Sequence, residues 1–115
     1  YYITTQDGSI DLTGLNVSNV VNMSNTLASN YLEVIDLTGW DTSSVEDMSH
    51  MFDYSNRINT VYVSDSFITT KVTKFEGIFD RCTIVGALGT RPSSDGIEYA
   101  RIDEPGKPGA FSRRS

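Results

Sequence analysis

His50 is the single histidine of the 115-residue chain, and Asp47, Ser49 and Asp53 stand within three residues of it. A hydroxyl, an imidazole and a carboxylate are the parts of a nucleophilic relay, but a relay needs them to converge from separate elements. Neighbouring residues of one short helix point in different directions, so His50 reads as a solvent-facing helix residue. Cys82, the one cysteine, could serve as a nucleophile or ligand. With no second cysteine, and no histidine at metal-ligand spacing, it reads as a half-buried structural thiol. Asp11, Asp36 and Tyr62, with Thr13, Thr38 and Ser64 two residues on, form a third set. Placed on adjacent strands, they would make polar rows ~4.7–4.9 Å apart. That face reads either as a groove for a ligand or a calcium ion or as a plain solvated surface. Two carboxylates fall short of the six to eight oxygens calcium usually takes. Met23, Met48 and Met51 could form an adaptable contact surface, but the spacing of Met23 and Met48 from Val20 and Val45 favours core.

The elements that must position these residues come from an internal repeat. Three copies run over 10–27, 35–52 and 61–79. Ile10, Ile35 and Val61 align, as do Leu12, Leu37 and Val63. Turn anchors follow at Leu15, Trp40 and Phe67, which read as one buried stack. Three further columns are Val20, Val45 and Val72; Met23, Met48 and Phe75; and Leu27, Phe52 and Phe79. Ile35-Asp36-Leu37 alternates as a strand. Val45, Met48 and Phe52 fall at i, i+3 and i+7, so 43–52 is expected to be a short amphipathic helix. Ser43 and Glu46 would form its capping box, with Ser18 and Thr70 as the other caps. Units this short bury their apolar faces only by stacking. After Phe79 the pattern fades. Cys82, Ile84, Val85 and Leu88 could make a partial strand and 97–102 a strand of another kind. Residues 103–115 read as a cap that frays into a tail.

Net charge of −6 argues against nucleic acid, whose binding rests on phosphate neutralisation. No apolar run approaches the ~20 residues of a membrane helix, so membrane insertion is not expected. Tyr1 opens no signal peptide, and no initiator Met is present, so the chain reads as a segment of a longer protein.

The second copy resembles the repeats of the BspA-like bacterial surface-protein family. The likeness is carried by Leu37-Thr38-Gly39-Trp40-Asp41-Thr42-Ser43, Val45, Met48, Met51 and Phe52. Phe79-Asp80-Arg81-Cys82, Val85-Gly86, Gly89-Thr90, Tyr99-Ala100-Arg101-Ile102-Asp103 and Pro108-Gly109-Ala110-Phe111 resemble that family's ending, where a Tyr is usual at the position of Ala110. The resemblance covers residues 10–111 and implies a secreted or surface-attached protein of a host-associated bacterium.

The expected architecture is a short right-handed leucine-rich-repeat-like solenoid, with parallel strands on one face and short helices on another. It divides into a lead-in (1–9), three strand–turn–helix repeats with a partial strand (10–88) and a C-terminal cap and tail (89–115). The expected function is non-catalytic binding or adhesion, with a host or matrix protein or a glycan as partner. A structural spacer with no ligand of its own is the alternative. No catalytic residue, metal or cofactor is expected. The candidate ligand face is Asp11, Thr13, Asp36, Thr38, Tyr62 and Ser64. The chain is expected to be a monomer, or a weak dimer through the N-terminal edge at Ile10-Asp11-Leu12.

Overall fold

The computed structural model describes residues 8–28 and 31–114. The lead-in expected over 1–9 therefore lies outside the described residues, apart from Gly8 and Ser9. Three short strands, β1 (Ser9–Asp11), β2 (Val34–Asp36) and β3 (Thr60–Tyr62), form one parallel sheet in that order. Ile10, Ile35 and Val61 share one row of the register, and Asp11, Asp36 and Tyr62 share the next. The alternation puts Ile35, Leu37, Val61 and Val63 inside. Parallel pairing needs a long crossover, and each 25- or 26-residue repeat supplies one.

A second ladder runs along those crossovers. Asn22 bridges Asp47, and Asp47 bridges Lys74, both in parallel. Its hydrogen bonds correct the expected helix over 43–52. The amides of Met48, His50, Phe52 and Tyr54 donate to the carbonyls of Lys74, Glu76, Ile78 and Asp80 in the following unit. The intervening amides of Met51, Asp53 and Ser55 close local turns onto Met48, His50 and Phe52. An α-helix would need all these amides for its own turns; here alternate ones go to the neighbour. The only helical element among the described residues is a 3₁₀ turn, Ile97–Tyr99.

The turns recur with the repeat. Asn25 (φ 59°), His50 (φ 56°) and Gly77 (φ 65°) hold the same left-handed position, and Tyr54 (φ 62°) and Arg81 (φ 51°) hold a second one. Each is the third residue of a four-residue turn, where a type II geometry requires positive φ. The expected capping box is replaced by a different device: Asp41 Oδ1 accepts the Ser43 amide at 2.9 Å, while the Glu46 amide donates to Val21. Asn16–Ser18, Asn22–Ser24 and Asp47–Ser49 make the same side-chain turn.

The core columns are occupied as the repeat lays them out, with Val45, Met48 and Phe52 fully buried, and Met51, which lies off the helical stripe, buried as well. Val20, Leu27, Val72 and Phe75 in those columns are half-buried, and Leu15 departs furthest. Trp40 and Phe67 are 3% and 5% exposed, but Leu15 is 55% exposed. It lies in the first unit, with no described rung above it. Trp40 instead reaches back to that unit by donating Nε1–H to the Leu12 carbonyl at 2.8 Å.

The far end is closed by the C-terminal segment. Phe111 lies 5.8 Å from Phe52, 5.0 Å from Phe67 and 6.1 Å from Phe79 between ring centres. Ser112 bridges Tyr62 in parallel, donating to Val61 and accepting from Val63. Neither strand expected after Phe79 forms. Thr83 makes two hydrogen bonds and Val85 one back to the third unit's entry, and Leu88 is exposed. Residues 97–102 contain the 3₁₀ turn and a single bridge from Ile102 to Phe111.

Candidate functional site

Of the six residues of the expected ligand face, Asp11, Asp36 and Tyr62 share the last row of the sheet, whereas Thr13, Thr38 and Ser64 lie just beyond the strand ends, and much of their polar capacity is already engaged. Asp11 Oδ1 accepts both the amide and the hydroxyl of Thr13, at 2.9 and 2.6 Å. Those two bonds, the hydroxyl's first, hold the Asp11 carboxyl below its ordinary range, and the Arg114 charge adds to the effect. Asp36 is buried, and its Oδ1 accepts the Thr38 amide at 3.0 Å. The Thr38 hydroxyl is buried with no hydrogen-bond partner among the described residues. Ser64 Oγ accepts the Gly39 amide at 3.0 Å. The tail then crosses this face. Arg114 Nε sits 3.5 Å from Asp36 Oδ2, its guanidinium carbon lies 4.9 Å from the Tyr62 ring centre, and Ser112 pairs with Tyr62. Ser112 and Arg114 have no place in the repeat, so only the distribution of charge could have suggested them: a pair of arginines ending an acidic chain.

A second cluster surrounds His50. Its Nδ1 lies 3.3 Å from Asp53 Oδ2, and its Nε2 lies 4.0 Å from Glu76 Oε2. Arg81 forks onto the buried Asp53 carboxylate at 3.1 and 3.0 Å and stacks 3.7 Å over the Tyr54 ring. The Asp53 hydrogen bond holds Arg81 above its ordinary value. Ser49 Oγ donates to Asp47 at 2.6 Å. That bond and the Ser49 amide keep Asp47 low, with Lys74 and His50 adding smaller pulls. Serine, histidine and carboxylate are thus adjacent, yet the serine proton goes to Asp47 and the Asp53 carboxylate is shared with Arg81.

Beside this cluster lies an open cleft of about 450 Å³. Ser49 and His50 form one wall, Thr73 to Glu76 the floor, and Asp95 the far side. Asp95 Oδ1 accepts the Gly77 amide at 2.6 Å, and the Ser94 carbonyl accepts the Phe79 amide at 3.0 Å. Gly77 is required here: a Cβ would come within 2.6 Å of His50 Nδ1.

The remaining polar centre is structural in its contacts. Buried Asp103 accepts from the Leu88 amide (2.8 Å), the Thr90 amide (3.3 Å), the Thr90 hydroxyl (2.8 Å) and the Gly109 amide (3.1 Å). Burial pushes its carboxyl up, but the Thr90 hydroxyl and the three amides outweigh burial and leave it below its ordinary value. Cys82 is half-buried against the core, and burial pushes its thiol up. Among the described residues, no three His, Cys, Asp or Glu side chains gather as a metal site would need. No helix among the described residues is long and apolar enough to cross a membrane.

A family model described as "Mycoplasma protein of unknown function, DUF285" matches residues 3–87. The chain belongs to this family. The DUF285 match spans all three repeats and the turn at Gly86, so the side-chain turns and the second ladder fall within it. The closing elements, Asp103 and the Phe111 plug, come after the DUF285 stretch. So does Asp95, which completes the cleft. No curated protein and no solved structure matches the chain.

Proposed function

We propose that this chain is a non-catalytic binding or adhesion module of a bacterial cell-surface or secreted protein, built as a short right-handed leucine-rich-repeat-like solenoid. The observation that carries this reading is the open cleft at the end of the second ladder, where one aromatic and both signs of charge meet beside the repeat. The resemblance of the repeats to the BspA-like family supports it, since BspA-like repeat proteins contain DUF285. The parallel order β1-β2-β3 supports the solenoid, and right-handed crossovers are the rule for such connections. A host or matrix protein or a glycan is the partner class.

An array of glycans and matrix proteins, run with and without calcium, tests the reading. Binding that is lost with Lys74→Glu but kept with Asp36→Asn would place the ligand at the cleft. Binding lost only with Asp36→Asn or Tyr62→Ala would return it to the strand face. Silence across the array would favour the spacer, a reading supported by the Arg114 tail already lying over that face.

A further inference from the structure

The second ladder ends in an incomplete rung. At each earlier step one residue both donates its amide to the preceding unit and accepts an amide from that same unit. The Asp47 amide donates to Val21, and Asp47 O accepts from Met23; the Lys74 amide donates to Glu46, and Lys74 O accepts from Met48. Repeating that step beyond Lys74 requires a residue whose amide donates to Thr73 O and whose carbonyl accepts from the Phe75 amide. Neither group has a hydrogen-bond partner among the described residues. Ser94 and Asp95 complete the following positions by taking the Phe79 and Gly77 amides, and the substitute rung stops there. The cleft opens at that gap. Phe75 shows the consequence: Met23 and Met48 in its column are buried, whereas Phe75 is half-buried and lines the cleft.

We propose that this gap docks an extended acidic peptide segment of a partner protein as a further parallel strand, its acidic residue opposite Lys74. Strand addition at an open edge takes its affinity from main-chain bonds and its selectivity from alternate side chains. The selectivity follows from the column. Asn22, Asp47 and Lys74 stack in register, and Lys74 already helps to hold the Asp47 carboxyl low. A carboxylate on Lys74's open side meets a cation, whereas a lysine or arginine there meets a like charge. The next peptide side chain falls over the exposed part of Phe75. Asp95 and Glu76 border the site and disfavour a second acidic residue further along, so one carboxylate is expected, followed by an apolar residue.

This rests on the binding reading above, and its test is separate. The probe is the synthetic peptide Ser-Ser-Val-Gln-Asp-Met-Ser-His-Met, the sequence of residues 43–51 with glutamine in place of Glu46 so that it carries a single side-chain carboxylate; in the fold that segment pairs with Lys74 from the other side. It is titrated into the ¹⁵N-labelled chain. The expected result is saturable shifts at the Lys74, Phe75 and Glu76 amides with a Kd of about 0.1–1 mM, a range suited to one short edge. A peptide with lysine in place of its aspartate should bind roughly three- to fivefold weaker, the size of one exposed charge pair. Lys74→Glu should invert that preference, with unchanged shifts elsewhere reporting an intact fold. The proposal is overturned if these amides stay still at millimolar peptide, if both peptides bind equally, or if a saccharide moves them while no acidic peptide does. Array binding that persists alongside a silent edge overturns this proposal alone.

Discussion

Thr42 shows how much a single hydroxyl can do between units. It is buried; its Oγ1 donates to the Ile68 carbonyl and accepts the Ile68 amide, both at 2.7 Å. Thr42→Val keeps the shape and leaves both partners unsatisfied, so urea unfolding should show a loss of about 1–3 kcal/mol, and Thr42→Ser should restore most of it. Asp103 carries the acid sensitivity. Its folded pKa lies below its ordinary value of 3.8, so its stabilisation is fully present above that value and is lost as pH falls through the folded pKa. Asp11, Asp41 and Asp47 are shifted the same way. Urea midpoints should therefore decline below about pH 4, and Asp103→Asn should flatten part of that decline while lowering the plateau at neutral pH. Asp36→Asn keeps the Thr38 bond and loses only the exposed Arg114 partner, so it should cost under about 1 kcal/mol. Thr42 stands in the repeat's turn, but its pairing with Ile68 runs between units and is invisible in either copy alone.

At the scale of elements, the apolar columns were legible because burial obeys the repeat whatever local structure connects it. The helix was not. A stripe at i, i+3 and i+7 also fits a run of turns that sends alternate amides to a neighbour, and Val45, Met48 and Phe52 satisfy both. Signals for the turns were present: Asn25 and Gly77 stand at the same position of two copies, and both tolerate positive φ. His50 holds that position in the second copy and packs against Gly77. Gly77→Ala should cost about 1–3 kcal/mol, from the strained φ and the collision with the imidazole. His50→Gly should relieve the collision, so the two changes should be non-additive in thermal or urea unfolding.

At the scale of the molecule, the order of strands followed from the repeat, and the closure did not. Phe111 could be read as one more apolar residue in a Pro- and Gly-rich tail. Its position against Phe52, Phe67 and Phe79 depends on Gly109, where a Cβ would come within 2.1 Å of the Arg101 carbonyl. Phe111→Ala should cost about 3–5 kcal/mol, measurable as a lower melting temperature. The cleft was missed because the repeat describes what each unit shares, whereas the cleft lies where the third unit lacks a successor.

The alternating donors of the second ladder have a consequence for how stability is distributed. The amides of Met48, His50, Phe52 and Tyr54 are guarded by carbonyls of the unit after their own. Their hydrogen exchange therefore reports the opening of residues 74–80, not of the segment that carries them. The amides between them report local turns. Exchange along 48–55 should split into two interleaved classes, odd and even, and loosening the third unit should speed only the even one.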